Sequence, residues 1–127
     1  MRERHASGSP YEKRYSFSRA VKVGNRILVA GTAPIGDDGK TFEGDAYEQT
    51  KRCFTIAVRA IEALGGTAGD VVRTRMFLTD ASYADDAGRA HGEAFAEARP
   101  AATMVVVDGL IDPAWKVEIE VEAVVGG

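Results

Sequence analysis

The stretch Val117-Glu118-Ile119-Glu120-Val121-Glu122-Ala123 alternates apolar and acidic residues without a break. Because successive side chains of a β-strand point to opposite faces of a sheet, this pattern predicts a strand with one apolar face and one carboxylate face. The apolar face must be covered by other elements, whereas the carboxylate face needs cations or water. The stretch therefore predicts a sheet that is covered on one side only.

A second predicted strand, residues 71–79, offers cations for the uncovered face. Strict alternation places one set of its residues towards the core: Val72, Thr74, Met76 and Leu78. The opposite face then carries Val71, Arg73, Arg75 and Phe77, and we expect the two arginines to pair with the glutamates across the strands. A solvated face is the simpler alternative. Phe77, with Trp115 nearby, favours a subunit interface instead.

Two helices are predicted to cover the apolar face. The first begins after Asp45, a good N-cap residue, and ends at Gly65-Gly66. Its apolar residues recur at spacings of three and four and form one stripe, made of Thr50, Phe54, Ala57, Ile61 and Leu64. The second helix covers residues 82–98, ahead of Pro100, with an inward set of Tyr83, Ala90, Ala94 and Phe95.

The other predicted strands are residues 17–23 and 27–30, joined by a tight turn at Gly24-Asn25, and residues 103–107. Residues 1–14 are polar and predict either a flexible arm or a loosely attached first strand. The element order is therefore β-β-α-β-α-β-β. It predicts an α+β fold, with a single mixed β-sheet covered on one face by two helices, in one domain spanning residues 1–127.

Composition excludes several classes of function. Net charge is -3, from 16 basic and 19 acidic residues, which argues against a general binder of nucleic acid. No stretch has the length of a membrane span, and Cys53 has no second cysteine to pair with, so we expect a cytoplasmic protein without a membrane partner or a metal. Cys53 itself fits a small buried hydrophobe, His5 a mobile arm and His91 a surface or capping residue.

Several segments between residues 17 and 125 together resemble the Rid (YjgF) family in order and spacing. They are Ser18-Arg19-Ala20-Val21-Lys22-Val23-Gly24-Asn25, Val29-Ala30-Gly31-Thr32, Gln49-Thr50, residues 69–80, Arg99-Pro100-Ala101-Ala102-Thr103 and residues 117–123. The resemblance implies a chorismate-mutase-like fold and a homotrimer with a small-molecule cleft between subunits. It also implies hydrolysis of enamines and imines to ammonia and a 2-oxo acid, without a metal or organic cofactor.

The resemblance also indicates which residues form the cleft. Glu118 matches the family glutamate that helps to place water, and it is the catalytic candidate. The substrate-binding candidates are Phe17, Arg19, Gly31, Thr32, Arg89, Ala102 and Thr103. The chain departs from the family pattern at three places: Pro-Ala-Arg ends in Ala102, Ser-Gly-Gln reads Ala30-Gly31-Thr32, and the usual tyrosine is Phe17.

Alanine at position 102 has no donor for a substrate carboxylate, which the family arginine grips with two hydrogen bonds. Classical 2-imino acid deaminase activity is therefore doubtful. One hypothesis is an enzyme that hydrolyses an enamine or imine with another headgroup. The alternative is a noncatalytic trimer that binds a metabolite or a protein partner, and an endoribonuclease or translation inhibitor is the least favoured hypothesis because the chain is acidic.

Overall fold

The computed structural model describes residues 2–126. Its sheet has six strands in the order β1-β2-β3-β6-β4-β5. In chain order they are β1 Arg2–His5, β2 Ala20–Val23, β3 Arg26–Thr32, β4 Val71–Leu78, β5 Ala101–Val106 and β6 Val117–Val124. The pair β4 and β5 is parallel, and the other neighbouring pairs are antiparallel. The predicted single mixed sheet is thus confirmed.

Three helices accompany the sheet: α1 Pro10–Tyr15, α2 Ala46–Ala63 and α3 Ala84–Ala94. At the start of α2, Asp45 accepts a hydrogen bond from the Glu48 amide at 2.8 Å while Glu48 accepts one from the Asp45 amide at 3.2 Å. Gly65 ends the helix region with a φ of 93°, a conformation that favours glycine. The predicted first helix and its apolar stripe are therefore confirmed.

The core lies between α2, α3 and the apolar face of the sheet. Phe54 is 2 % exposed, and its ring meets the Phe95 ring edge to face with 5.0 Å between centroids. All five predicted stripe residues of α2 are buried. On β6 the alternating apolar residues are buried as well, which confirms the register deduced from residues 117–123.

The N-terminal region begins with a first strand, one of the two predicted alternatives, and adds a helix to it. β1 pairs with β2 over four residues, and α1 follows it as a one-and-a-half-turn helix that the sequence reasoning did not predict. Ser9 caps α1 through a hydrogen bond to its side chain from the Tyr11 amide, and Pro10 occupies the first helical position. A helix of six residues has too few apolar repeats to be recognised by periodicity.

Two further predictions need correction. The helix α3 is shorter than residues 82–98, because a 3-10 turn, Ala81–Tyr83, precedes it and Phe95 leaves helical geometry. In β4 the register shifts between Val71 and Arg73, so Val71 is buried and Val72 is 47 % exposed, the reverse of the expected faces. The irregularity exchanges the faces of Val71 and Val72 alone, and the alternation predicted for residues 73–78 is as observed, with Thr74, Met76 and Leu78 buried.

The uncovered face carries the predicted ion pairs in part. Arg75 lies 3.5 Å from a carboxylate oxygen of Glu120 and 3.2 Å from one of Glu122, and Arg26 lies 3.2 Å from the other oxygen of Glu122. Arg73 makes no ion pair with any of residues 2–126. Trp115 does not stand on this face, since it is 4 % exposed and donates a hydrogen bond to Thr41 Oγ1 at 3.0 Å.

Candidate functional site

A cavity of about 620 Å³ opens beside the end of β3 and the start of β6. Its walls are residues 5–19, the loop after β3 and one side of α2, where Arg52, Ile56 and Arg59 contribute. Glu118, Trp115 and Ile111 complete the lining. A space of this size suits a small organic molecule, for which binding sites usually measure about 300 to 1,000 Å³.

The wall made by residues 5–19 is held by a buried ion pair. Arg19 Nε donates to Glu12 Oε2 at 3.0 Å, and the two side chains are 5 % and 6 % exposed. Glu12 also accepts hydrogen bonds from the Ser7 amide, at 3.0 Å, and from the Ser7 hydroxyl. Although burial raises the pKa of Glu12, the hydrogen bonds from Ser7 and Arg19 outweigh it and lower the pKa overall.

Arg19 also connects this wall to β3. Its Nη1 donates to the Gly31 carbonyl at 2.5 Å and to Thr32 Oγ1 at 3.1 Å, and the Thr32 hydroxyl in turn donates to the Ala30 carbonyl at 2.8 Å. Nη2 has no hydrogen-bond partner among residues 2–126. Within the same residues, every side-chain nitrogen that is fully buried does have a partner. Nη2 is therefore not fully buried, and since Arg19 lines the cavity this group is available to donate to a bound molecule.

Glu118 presents a carboxylate to the same cavity. It lies against Gly31 so closely that a β-carbon at position 31 would be 2.9 Å from Glu118 Oε2. Burial raises the pKa of Glu118, the attraction of Arg19 opposes that rise, and repulsion from Glu120 adds to it. The carboxyl group is thus a stronger base than an exposed glutamate, and glycine gives it room beside the backbone.

Glu118 is reached from a second side as well. A shallower hollow of about 250 Å³ lies on the uncovered face of the sheet and shares Gly31 and Glu118 with the first cavity. Its other lining residues are Phe77, Val107, Gly109, Leu110 and Glu120. The carboxylate therefore stands between the cavity and the sheet face that the helices leave uncovered.

Aromatic rings form much of the remaining wall. Tyr11 stacks on Tyr15 with 6.2 Å between centroids and meets Trp115 edge to face at 5.7 Å. The Phe17 ring lies 5.3 Å from the Arg19 guanidinium carbon. The sequence reasoning missed Tyr11, Tyr15 and the lining role of Trp115. A usable signal was present, because Ser9-Pro10 is a helix start and the two tyrosines follow it at a spacing of four.

Five of the eight predicted site residues meet at this cavity, namely Phe17, Arg19, Gly31, Thr32 and Glu118. The other three lie elsewhere in the chain. Arg89 on α3 stacks over the Tyr47 ring at 3.7 Å and approaches Asp86 at 3.8 Å. Ala102 and Thr103 lie exposed on β5, the edge strand. Since β3 and β5 are three strand spacings apart, about 14 Å, these two can reach such a cavity only from another copy of the chain.

Of Cys53, His91 and His5, the first two lie away from the cavity and His5 lines it. Cys53 is buried, as predicted, and burial raises the pKa of its thiol well above the ordinary value. His91 is half-buried: its Nε2 lies 2.7 Å from the Thr74 hydroxyl, its ring packs against the Phe54 and Phe95 rings, and burial lowers its pKa. His5 does line the cavity, at the end of a paired strand rather than in a mobile arm.

Metal-binding clusters and membrane-spanning helices are both absent from residues 2–126. That part of the chain has no group of three or more His, Cys, Asp or Glu residues placed to hold a metal ion. No helix in the described range is both long enough and apolar enough to cross a bilayer.

Comparison with known proteins places the chain in a defined group. Residues 9–125 match the family named Endoribonuclease L-PSP. The chain is 47% identical to an uncharacterized protein of Streptomyces coelicolor over 92% of this chain and 87% of the relative, and 37% identical to a RutC family protein of Pyrococcus abyssi over 85% and 84%. It is also similar to the crystal structure of Rv2704 from Mycobacterium tuberculosis, a member of the YjgF/YER057c/UK114 family. The TM-score is 0.89 and the sequence identity 39%, and the match covers 98% of this chain and 100% of that one.

Proposed function

The chain belongs to the Endoribonuclease L-PSP family, the YjgF/RutC group to which Rid proteins belong, and from this we propose that it hydrolyses a reactive enamine or imine. The observation that carries the proposal is the half-buried Glu118 carboxylate at the cavity wall, with its raised pKa. A glutamate of this kind can hold and deprotonate a water molecule beside a bound carbon–nitrogen double bond. No metal or organic cofactor takes part in the proposed reaction.

The chemistry assigned to the site is simple hydrolysis. An enamine first gains a proton at carbon to become an iminium ion. The water oxygen then forms a bond to the iminium carbon, and the carbon–nitrogen bond breaks. Both water protons leave on the nitrogen, so an iminium ion and water give a carbonyl compound and ammonium. Glu118 serves as the group that takes a proton from water and returns it to nitrogen, while Arg19 Nη2 can donate to the new oxygen.

We further propose that the cleft is completed in a homotrimer, in the cytoplasm. The edge strand β5 leaves Val105 and Val106 40 % and 55 % exposed, and a long uncovered edge of this kind is usually paired or covered. A neighbouring copy would bring its own Ala102 and Thr103 to the cavity described above. Sedimentation velocity at micromolar concentration is expected to give the mass of three chains of 13.6 kDa.

A simple 2-imino acid is a poor candidate for the substrate. Ala102 supplies no cation from the neighbouring copy, and the charge of Arg19 is already balanced by buried Glu12. The same losses support the alternative of a noncatalytic trimer that binds a metabolite. Cleavage of RNA is the least supported activity, because the net charge is -3 and the uncovered sheet face carries a row of glutamates.

The direct test measures ammonia release from imines formed in situ by amino-acid and amine oxidases. The wild type should accelerate hydrolysis of at least one imine above the spontaneous rate, and Glu118→Gln should remove that acceleration. Glu62→Gln on the exposed side of α2 is the matched control and should retain it. Absence of any acceleration over the whole panel would leave the noncatalytic binding function as the conclusion.

A further inference from the structure

The charges around the cavity are unevenly compensated. Arg19 is paired with Glu12 inside the wall, at 3.0 Å, and Arg52 is paired with Asp37, at 2.9 Å. Glu118, in contrast, makes no ion pair with any described residue. Burial disfavours its charge, and Arg19, which is already paired with Glu12, attracts it only from a longer distance. The carboxylate of Glu118 is therefore the one charge in the wall that lacks a close counterion within residues 2–126, and a bound cation would relieve it.

Two other basic residues, Arg59 and His5, line the cavity, but neither is placed to bind a substrate carboxylate. Arg59 lies 3.6 Å from Asp37, and its side chain is 57 % exposed, so water and salt screen its field. His5 is half-buried at the end of β1, on the rim of the cavity. Neither residue is a desolvated cation of the sort that grips a substrate carboxylate.

The uncharged part of the lining is aromatic and aliphatic. Tyr11, Tyr15 and Phe17 come from one short segment, while Ile56 and Ile111 come from α2 and from the loop before β6. Ile111 is 79 % exposed and offers apolar surface that a ligand in the cavity can cover. A cavity of about 620 Å³ is larger than a four-carbon acid needs.

From these observations we propose that the cavity selects a cationic, ring-bearing amine derivative that lacks a carboxylate, with its nitrogen at Glu118 and its ring among Tyr11, Tyr15 and Phe17. This inference deepens the proposed hydrolase and rests on it for the reaction, though not for binding. The substrate is then the iminium ion of an arylalkyl aldehyde or ketone, and the product is that carbonyl compound with ammonium. An upstream reaction must supply such an imine, and oxidation of a primary arylalkylamine is the class that does so.

Binding is tested with three probes, two of them matched in size, and measured by calorimetry at neutral pH. They are 2-phenylethylammonium, 3-phenylpropionate, which exchanges the cation for a carboxylate, and propylammonium, which lacks the ring. The ring-bearing cation should bind at least about tenfold more tightly than the other two, since a charge-assisted contact and an aromatic contact each contribute about one decade. Equal or tighter binding of 3-phenylpropionate overturns the proposal.

Variants connect the preference to the named residues. Glu118→Gln should remove the preference for the cation over the carboxylate. Tyr15→Ala should weaken binding of 2-phenylethylammonium several-fold and leave the affinity for propylammonium unchanged. Tyr15 is 63 % exposed, so its loss leaves the core intact. Tyr47 stacks under Arg89 away from the cavity, so Tyr47→Ala is the matched control. It should leave the affinity for both probes unchanged. A preference that survives Glu118→Gln unchanged contradicts the assigned position of the nitrogen.

Turnover separates this inference from the proposed function. An amine oxidase acting on 2-phenylethylamine yields the carboxylate-free imine, and an amino-acid oxidase acting on phenylalanine yields its carboxylate-bearing counterpart. Faster hydrolysis of the first imine supports the inference. Faster hydrolysis of the second overturns the inference and leaves the hydrolase in place. Binding of the ring-bearing cation without turnover of either imine supports the inference and overturns the hydrolase.

Discussion

Gly31 and Glu118 are in such close contact that the Glu118 Oε2 atom occupies the space of a side chain at position 31, 2.9 Å from where a β-carbon would be. Gly31 lies within β3 and does not have a left-handed backbone conformation. Its small size, rather than its backbone freedom, therefore matters here. The neighbour that must move on substitution is the free end of a flexible carboxylate. The contact therefore sets the position of Glu118 and contributes little to the stability of the fold.

Gly31→Ala is accordingly expected to displace the Glu118 carboxylate and lower imine hydrolysis by roughly a hundredfold, because a shift of about 1 Å in a catalytic group has effects of that size. The denaturation midpoint should change little. Gly92→Ala is the control: position 92 is an exposed site on α3 with nothing within 4 Å of an added β-carbon, so activity should stay the same. Full activity in Gly31→Ala would contradict the assigned role of the contact.

The ion pair between Glu12 and Arg19 predicts a pH dependence for the wall of residues 5–19. The pKa of Glu12 is lowered from 4.5 in the folded chain, so its contribution to stability is present above that value and is lost as pH falls through the folded pKa. Hydrogen exchange of residues 5–19 should therefore accelerate in acid before the core opens. In Glu12→Gln this early acid step should be missing, and the segment should already exchange faster at neutral pH.

Unchanged protection of residues 5–19 in Glu12→Gln would show that the buried pair does not hold the wall. A second consequence distinguishes charge from packing in the same variant. Removal of the Glu12 charge leaves Arg19 as an uncompensated cation, so 3-phenylpropionate should bind several-fold more tightly than it does to the wild type.

The sequence predicted most of the sheet because its signal is local and strong. Alternation in residues 117–123 can be satisfied only by a half-covered strand, and the stripe on α2 has the period of a single helix face. The bulge in β4 was beyond such reasoning, since no residue type marks the point where Val71 and Val72 exchange faces. The position of the extra residue is decided by how β4 pairs with β6, two strands that are distant in the sequence.

The candidate site was predictable only where the family resemblance supplied it. Glu118, Gly31 and Arg19 were identified, yet the role of Arg19 depends on Glu12, which the sequence gives no reason to bury. Charged residues are rarely buried unless they are paired, and a pair seven residues apart is visible only once α1 is known. Likewise, Ala102 lies on the far edge of the same chain, so its relation to the cavity is a matter of assembly.

The covering of the sheet by α2 predicts a large loss of stability when its central ring is removed. Phe54 is 2 % exposed and contacts the rings of Phe95 and His91, so Phe54→Ala leaves a cavity that these neighbours cannot fill. The free energy of unfolding should fall by about 3 to 5 kcal/mol. Chemical denaturation measures it, with exposed Phe42→Ala as the control that should lose far less. An unchanged midpoint for Phe54→Ala would contradict the packing described for α2.

The last prediction concerns the missing arginine. Ala102 is exposed on the edge strand β5, so Ala102→Arg can be accommodated without disturbing the core of the chain that carries it. If a neighbouring copy brings this position to the cavity, the new guanidinium can hold a substrate carboxylate through a charge-assisted pair worth about 1.5 to 3 kcal/mol. Hydrolysis of 2-iminobutyrate, slow or absent in the wild type, should then rise by about one to two decades. Ala102→Lys offers the charge without the fork of two donors and should recover less. Rapid turnover of 2-iminobutyrate by the wild type would show that another cation already binds the carboxylate, and alanine substitution of Arg19 and then of Arg89 would identify it.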